Sequence, residues 1–331
     1  MRVAPRWIVA LAVALTAAAC GAGADSTTSA APATTTQATT VPETTVPAQP
    51  ASAARTFTGA DGVTSEITDT SRIVTLSGDL TEAVFELGLG DSVVATDVTT
   101  IYPEEAIALP KIGVGRFLTA EGVLAEAPTL VLGDTQTSPL EAIEQIRSAG
   151  VPVVIFDVPT SFTGLYAKAE EIGIVLGVPE AGAELAADLE AMVEEAVATA
   201  VPMDPAPGVA FVYSRGPDVM LLFGEGMTTQ PIIEAAGGRD VGAASGVSGT
   251  VSITPEAIAA AAPDVIVITS EGLDALGGVD GLLALPGFSE TPAGRNRRVL
   301  AYSEGDFLTF GPRIGELLST FIADLRAEFV Q

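Results

Sequence analysis

Thr119-Ala-Glu-Gly-Val-Leu-Ala-Glu-Ala-Pro-Thr-Leu-Val-Leu132 returns 135 residues later as Thr254-Pro-Glu-Ala-Ile-Ala-Ala-Ala-Ala-Pro-Asp-Val-Ile-Val267. Each copy begins with a threonine suited to a helix N-cap, followed by an acid (Glu121, Glu256) in the first turn, where the helix dipole favours negative charge. A short helical stretch, an Ala-Pro junction and a β-rich apolar run come next, and the run reads as a buried strand. Any α/β protein reuses helix–loop–strand units. The constant offset and the shared Ala-Pro junction favour two duplicated lobes.

The chain on either side of these copies fits that frame. Upstream, Arg72–Leu76, Val93–Thr96, Leu130–Leu132 and Val151–Phe156 read as strands. Thr81–Leu87 and Leu140–Ala149 read as helices, ending at Gly88 and Gly150. Downstream, Val209–Tyr213, Val265–Thr269 and Arg298–Ala301 are strand candidates, and Thr228–Ala236, Pro255–Ala261 and Glu316–Glu328 are helix candidates. Strands alternating with helices predict parallel sheets with right-handed crossovers. Between the halves, Leu165–Leu176 is helical with Gly173 inside it, Gly177-Val-Pro179 breaks it, and Glu180–Ala200 is strongly helical. One long helix joining two lobes permits only a stiff, shallow hinge. The expected organisation is a lobe over 57–161, connecting helices over 162–200 and a second lobe over 201–331.

The first 56 residues read differently. Two arginines precede an apolar run of about 13 residues, Trp7 to Ala19, short of the roughly 20 that span a membrane. A basic start, an apolar core and small residues before a cut are the marks of a signal peptide over 1–19. Ala17-Ala-Ala-Cys20-Gly21 resembles the bacterial lipobox, which implies that Cys20 is lipidated and heads the mature chain. From Cys20 to residue 56 the chain is rich in Thr, Ala, Pro and Ser, with Thr-Thr-Val-Pro at 39–42 and 44–47. Such a stretch buries too little to offset ordering entropy, and proline keeps it extended, so it reads as a tether.

Composition removes whole classes of function. A net charge of −27 argues against nucleic-acid binding, which needs a basic face. The chain has no histidine and one cysteine. Ser-His-Asp and Cys-His catalysis and imidazole-bound metals are thereby excluded. It also lacks a Gly-x-Ser-x-Gly elbow and a P-loop, so a surface hydrolase is a poor reading, and a purely structural lipoprotein fits the repeated lobes badly. No catalysis and no catalytic cofactor are expected.

Arg72-Ile-Val-Thr-Leu-Ser-Gly78, Thr81-Glu82 and Leu87-Gly88 resemble the start of the helical-backbone substrate-binding proteins of ABC importers, which carry cobalamin, ferric siderophores or haem. Further stretches look like the haem branch. They are Asp97-Val-Thr-Thr-Ile-Tyr-Pro103, Leu109-Pro-Lys-Ile-Gly113, Arg116-Phe-Leu-Thr-Ala-Glu-Gly-Val-Leu124, Gly277–Gly287, Thr291–Arg298 and Phe310-Gly-Pro-Arg313. The resemblance implies an α/β fold of two Rossmann-like lobes joined by a single long helix, with ligand in the inter-lobe cleft. It implies an extracytoplasmic, lipid-anchored protein on the outer face of the cell membrane, which takes up hemin and hands it to an ABC permease and its ATPase. A ferric siderophore or cobalamin on the same fold is the alternative.

The resemblance also implies site residues. Ferric iron is hard and suits a phenolate, and a chain without histidine offers tyrosine or methionine. Tyr102 occupies the place of the axial tyrosine in haem-binding relatives; the second axial position is empty, filled by water, or taken by Tyr213 or Met227. Arg116 and Arg215 suit the haem propionates, with Arg239 and Arg313 weaker. Glu121 matches an acid that meets the permease in related binders, with Glu225 and Glu256 as candidates on the other lobe.

Overall fold

The computed structural model describes residues 54–329. The signal sequence, Cys20 and most of the tether lie outside the described residues. The first strands, β1 (Arg55–Thr58) and β2 (Thr64–Ile67), form an antiparallel hairpin that begins inside the stretch assigned to the tether. It covers the edge of the first sheet: the Ala60 amide donates to the Ile155 carbonyl (2.7 Å) and Ser65 Oγ to the Val153 carbonyl (3.1 Å). An edge strand left open would template pairing with another chain, and the hairpin closes it.

Four strands build the N-terminal lobe: β3 (Ile73–Thr75), β4 (Val93–Thr96), β5 (Leu130–Asp134) and β6 (Val153–Phe156). Their order is β4-β3-β5-β6 and all pairs are parallel, as the alternation predicts. A parallel sheet is buried on both faces. One face packs Leu80, Val84 and Ile172 against Leu130 and Val154, and the other packs Val123, Ile143 and Ile146 against Val131 and Val153.

The C-terminal lobe contains β7 (Gly208–Ser214), β8 (Met220–Phe223), β9 (Arg239–Asp240), β10 (Thr250–Ser252), β11 (Val265–Thr269) and β12 (Val299–Tyr302). The main order is β10-β8-β7-β11-β12, with β9 beside β7. The β7, β11 and β12 strands are parallel as expected, but β8, which the sequence did not mark as a strand, runs antiparallel to β7 and makes the sheet mixed. The reason is local. Gly216 takes a left-handed φ of 83°, and the Arg215 amide donates to the Val219 carbonyl at 3.0 Å, so the chain turns straight back without a crossover helix. The position of β8 next to β7 still mirrors that of β4 next to β3.

The opening echo is structural. Ala127 and Ala262, each before its proline, both have φ of 46°, and each leads into a central strand, β5 and β11. One detail differs: Thr254 Oγ1 caps its helix through the Ala257 amide at 3.2 Å, whereas the Thr119 hydroxyl makes no cap bond.

The helix Pro179–Ala198 carries the chain between the lobes, braced by Phe162–Leu176. Both reach into the two cores. Ile172, Val175 and Leu176 pack in the first lobe, Leu189, Val193 and Ala196 in the second, and Leu185 touches both. The brace ends at Gly177, left-handed at φ 80°, and the next helix starts on Pro179, where a missing amide costs nothing.

Candidate functional site

Ligands of open α/β sheets sit beyond the carboxyl ends of the strands. Here β4 leads into residues 97–103 and β5 into Gln136. Opposite them, β7 ends at Tyr213–Arg215 and β12 leads into Glu304. The two sets face each other. The charge of Arg116 acts on the Tyr213 phenol, and a Cβ built on Gly305 would lie 2.2 Å from Ile101 Cδ1, so the 97–103 loop rests on the helix Glu304–Leu308.

On the C-terminal side, Tyr213 Oη donates to Glu304 Oε1 at 3.4 Å. The Arg215 guanidinium meets Glu304 Oε2 at 2.5 Å and stacks 4.7 Å from the centroid of the Tyr213 ring. Burial, then the Glu304 carboxylate, push the Tyr213 phenol above its ordinary value, against the pull of Arg215 and Arg116. Arg215 and Glu304 are 47% and 32% exposed, so their pair contributes little stability and can exchange partners. On the N-terminal side, Arg116 is exposed and donates to the Gln136 side chain. Tyr102 is 41% exposed, and Phe117, next to Arg116, is 80% exposed.

The four tyrosines separate cleanly. Tyr302 donates to Asp324 at 2.8 Å, and burial plus that carboxylate raise its phenol far above the usual range. Burial raises Tyr166, which packs against the C-terminal core. Tyr102 and Tyr213 are at facing strand ends. Met227 is half-buried against the C-terminal core, so packing is the contact it makes. Arg239 sits beside Gly208 at the amino end of β7, away from the strand ends that face the other lobe, which removes it as a propionate partner. Glu121, Glu225 and Glu256 are all exposed. Glu304 escaped the sequence reading, although its place just after a strand end is the signal that finds it.

Four carboxylates lie near the lobe junction: Glu82 and Asp97 are buried, Asp79 is half-buried and Asp306 is more open. Asp79 pairs with Lys168 at 2.6 Å. Burial opposes its charge, but Lys168 and Ser77 hold its carboxyl below the ordinary value. Asp306 is likewise low: Ser303 and Arg313 outweigh its burial. Glu82 goes the other way. Burial lifts it to about 7 against the attraction of Arg313, with Asp79 and Asp306 adding to the rise. Burial lifts Asp97 to about 6.

These directions fix a pH profile. An acid raised in the folded state contributes stability that is full below its unfolded value and is lost as pH rises through the folded one. Glu82 and Asp97 therefore cost stability between about 4 and 7. Asp79 and Asp306 contribute stability that is lost as pH falls below the ordinary carboxylate range. Thermal melts of the ligand-free protein are expected to peak near pH 4 and to decline towards pH 8, by up to about 3 kcal/mol from Glu82. Glu82→Gln should remove most of that decline, and a slope that survives it would assign the effect elsewhere.

The family profile described as periplasmic binding protein matches residues 73–304. Among solved structures, the periplasmic heme-binding protein RhuT from Roseiflexus sp. RS-1, in apo form, is 41% identical with a TM-score of 0.76, covering 78% of this chain and 99% of that one. Heme-binding protein HmuT is 36% identical with a TM-score of 0.78, over 84% of this chain and 91% of that one. Variant structures of HmuT replace by alanine a histidine, a tyrosine and an arginine two positions beyond that tyrosine. The uncharacterized ABC transporter substrate-binding lipoprotein YvrC of Bacillus subtilis strain 168 is 29% identical over 74% of this chain and 76% of its own. Further relatives named cobalamin- or vitamin B12-binding proteins match over 56% or less of their own length.

Proposed function

The chain belongs to the periplasmic binding protein family, and from that premise we propose that it captures haem outside the cytoplasm and delivers it to an ABC permease and its ATPase. The observation that carries the reading is the pair of phenols, Tyr102 and Tyr213, at facing strand ends of a chain without histidine. A hard phenolate suits ferric iron. Tyr213-Ser-Arg215 has the tyrosine–arginine spacing singled out in the HmuT variants, and Arg215 already lies on the Tyr213 ring. Arg116 on the other lobe offers a second guanidinium for a propionate. The protein performs no catalysis of its own.

Titration of the protein with hemin tests this. A saturable Soret band with ferric tyrosinate character is the expected result. Tight binding of cyanocobalamin or of a ferric siderophore, with hemin indifferent, would overturn it. The cobalamin reading rests on the names of relatives matched over about half their length.

The acids are the transport side of the proposal. Glu121, exposed at the start of its helix, docks on the permease together with Glu256 and Glu225 of the other lobe. Glu121→Ala should leave hemin affinity intact, lower hemin uptake by cells, and cost about 0.3–1 kcal/mol of stability through the helix dipole. Equal loss of binding would move Glu121 into the cleft. Cys20 carries the lipid that holds the protein at the outer face of the membrane, and mass spectrometry of the mature chain for diacylglycerol on Cys20 checks this.

A further inference from the structure

Arg313 uses every surface of its guanidinium, and its partners come from both lobes. Nε and Nη2 donate to Glu82 Oε1 on the first-lobe helix Gly78–Glu86, at 3.1 and 3.0 Å. Nη1 donates to Asp306 Oδ1 of the second lobe at 2.5 Å. The flat face lies over the Tyr102 ring, with Cζ 4.9 Å from the centroid. Asp306 is held in turn by Ser303 Oγ at 2.6 Å. Glu82 is 1% exposed and its Oε2 has no partner among the described residues, so Arg313 is the only group the structure gives to satisfy this carboxylate. The junction is tight around these groups. Ile101, next to Tyr102, fills the space at Gly305, and Gly311 abuts Asp79, whose Cβ would be 3.1 Å from an added methyl.

We propose that Arg313 is a positioning residue: clamped between Glu82 of one lobe and Asp306 of the other, it fixes the Tyr102 ring at the lobe junction and makes ligand capture by Tyr102 depend on the two lobes staying in register. The chemistry calls for arginine. A planar fork can serve two carboxylates at its edges while its face stacks on a ring, and an ammonium can do only part of this. The bland alternative is that Arg313 merely starts the helix Ile314–Ala327, at whose N-cap it sits. That alternative leaves the contact with Tyr102 idle.

The haem part of this inference rests on the proposed function, so the experiment has one arm that does not use haem. Full-length wild type, Arg313→Lys and Glu82→Gln are compared at pH 8, where wild-type Glu82 is ionised, by amide hydrogen exchange without ligand, then titrated with hemin. Expected without ligand is faster exchange confined to residues 97–107 and 304–308, with both sheets unchanged. Expected with hemin is a loss in affinity of about tenfold or more in Arg313→Lys, together with a changed ferric charge-transfer band. Unchanged exchange in both variants, or exchange accelerated throughout the fold, overturns the clamp. Local exchange with wild-type hemin affinity and spectrum in Arg313→Lys overturns the positioning of Tyr102. If wild type itself ignores hemin, the functional proposal fails and the exchange arm still decides the clamp. Should Arg313→Lys not fold, Glu82→Gln, which keeps the shape and removes the charge, carries both readings.

Discussion

Tyr102→Phe is expected to abolish the tyrosinate charge-transfer band of the ferric complex and to weaken hemin binding by about 100-fold or more, since replacing groups one shell further out already costs 10- to 100-fold. The substitution removes one oxygen and nothing else. Tyr102 is 41% exposed, its hydroxyl has no hydrogen-bond partner among the described residues, and the phenylalanine ring still accepts the face of Arg313. Far-UV circular dichroism and the melting temperature should therefore stay at wild-type values, which separates loss of a donor from loss of fold. The companion variant is Tyr213→Phe. Tyr213 shares Glu304 with Arg215, so removing its hydroxyl leaves the ion pair in place. If Tyr102→Phe binds hemin with an unchanged spectrum and Tyr213→Phe does not, the iron belongs to the C-terminal lobe and Arg215 becomes its nearest cation.

The duplicated architecture was legible because it is written in local chemistry. A threonine, an acid, a short apolar helix and Ala-Pro are short-range signals, and they produced the same left-handed φ of 46° at Ala127 and Ala262. The inner strands follow the same order in both lobes, β4-β3-β5-β6 and β8-β7-β11-β12. The strand β8 was not legible at all, and its antiparallel direction follows from the tight turn at Gly216, which the alternation of strands and helices does not show. The site was half legible. Tyr213 and Arg215 carry recognisable chemistry at a strand end, Tyr102 in the loop after a strand, and Arg116 in the turn before the helix Ala120–Ala125. The clamp does not: Glu82 and Arg313 are 231 residues apart, and no local pattern says which carboxylate a given arginine will find. Arg239 and Arg313 looked equally weak in the sequence. The fold placed one at the amino end of β7 and the other between the lobes.

Gly173 shows how a residue that weakens a local signal can be required by packing. Inside a helix, glycine costs about 1 kcal/mol relative to alanine, so the sequence alone counts it against the helix. In the fold, a Cβ on Gly173 would lie 2.6 Å from the Gly182 Cα, and one on Gly182 would lie 2.8 Å from the Gly173 Cα. The connecting helix and its brace meet backbone to backbone at this point, and no side chain can yield. Gly173→Leu must push the two helices apart. Overpacking a well-packed core costs about 1–3 kcal/mol, and here the upper end is expected because the obstacle is main chain. The damage should not stay local. Leu185, on the displaced helix, packs against the cores of both lobes, and Val193 and Ala196 further along are buried in the second. A fall in melting temperature of about 6–12 °C is expected, at roughly 2–4 °C per kcal/mol for a body of this size, together with weakened hemin binding, since the lobes lose their fixed spacing. Ala183→Leu, at an exposed position on the same helix one residue beyond Gly182, is the control and should melt like wild type. A Gly173→Leu protein that melts with its parent would mean that the helices can separate without cost, and the connection would then be a hinge rather than a strut.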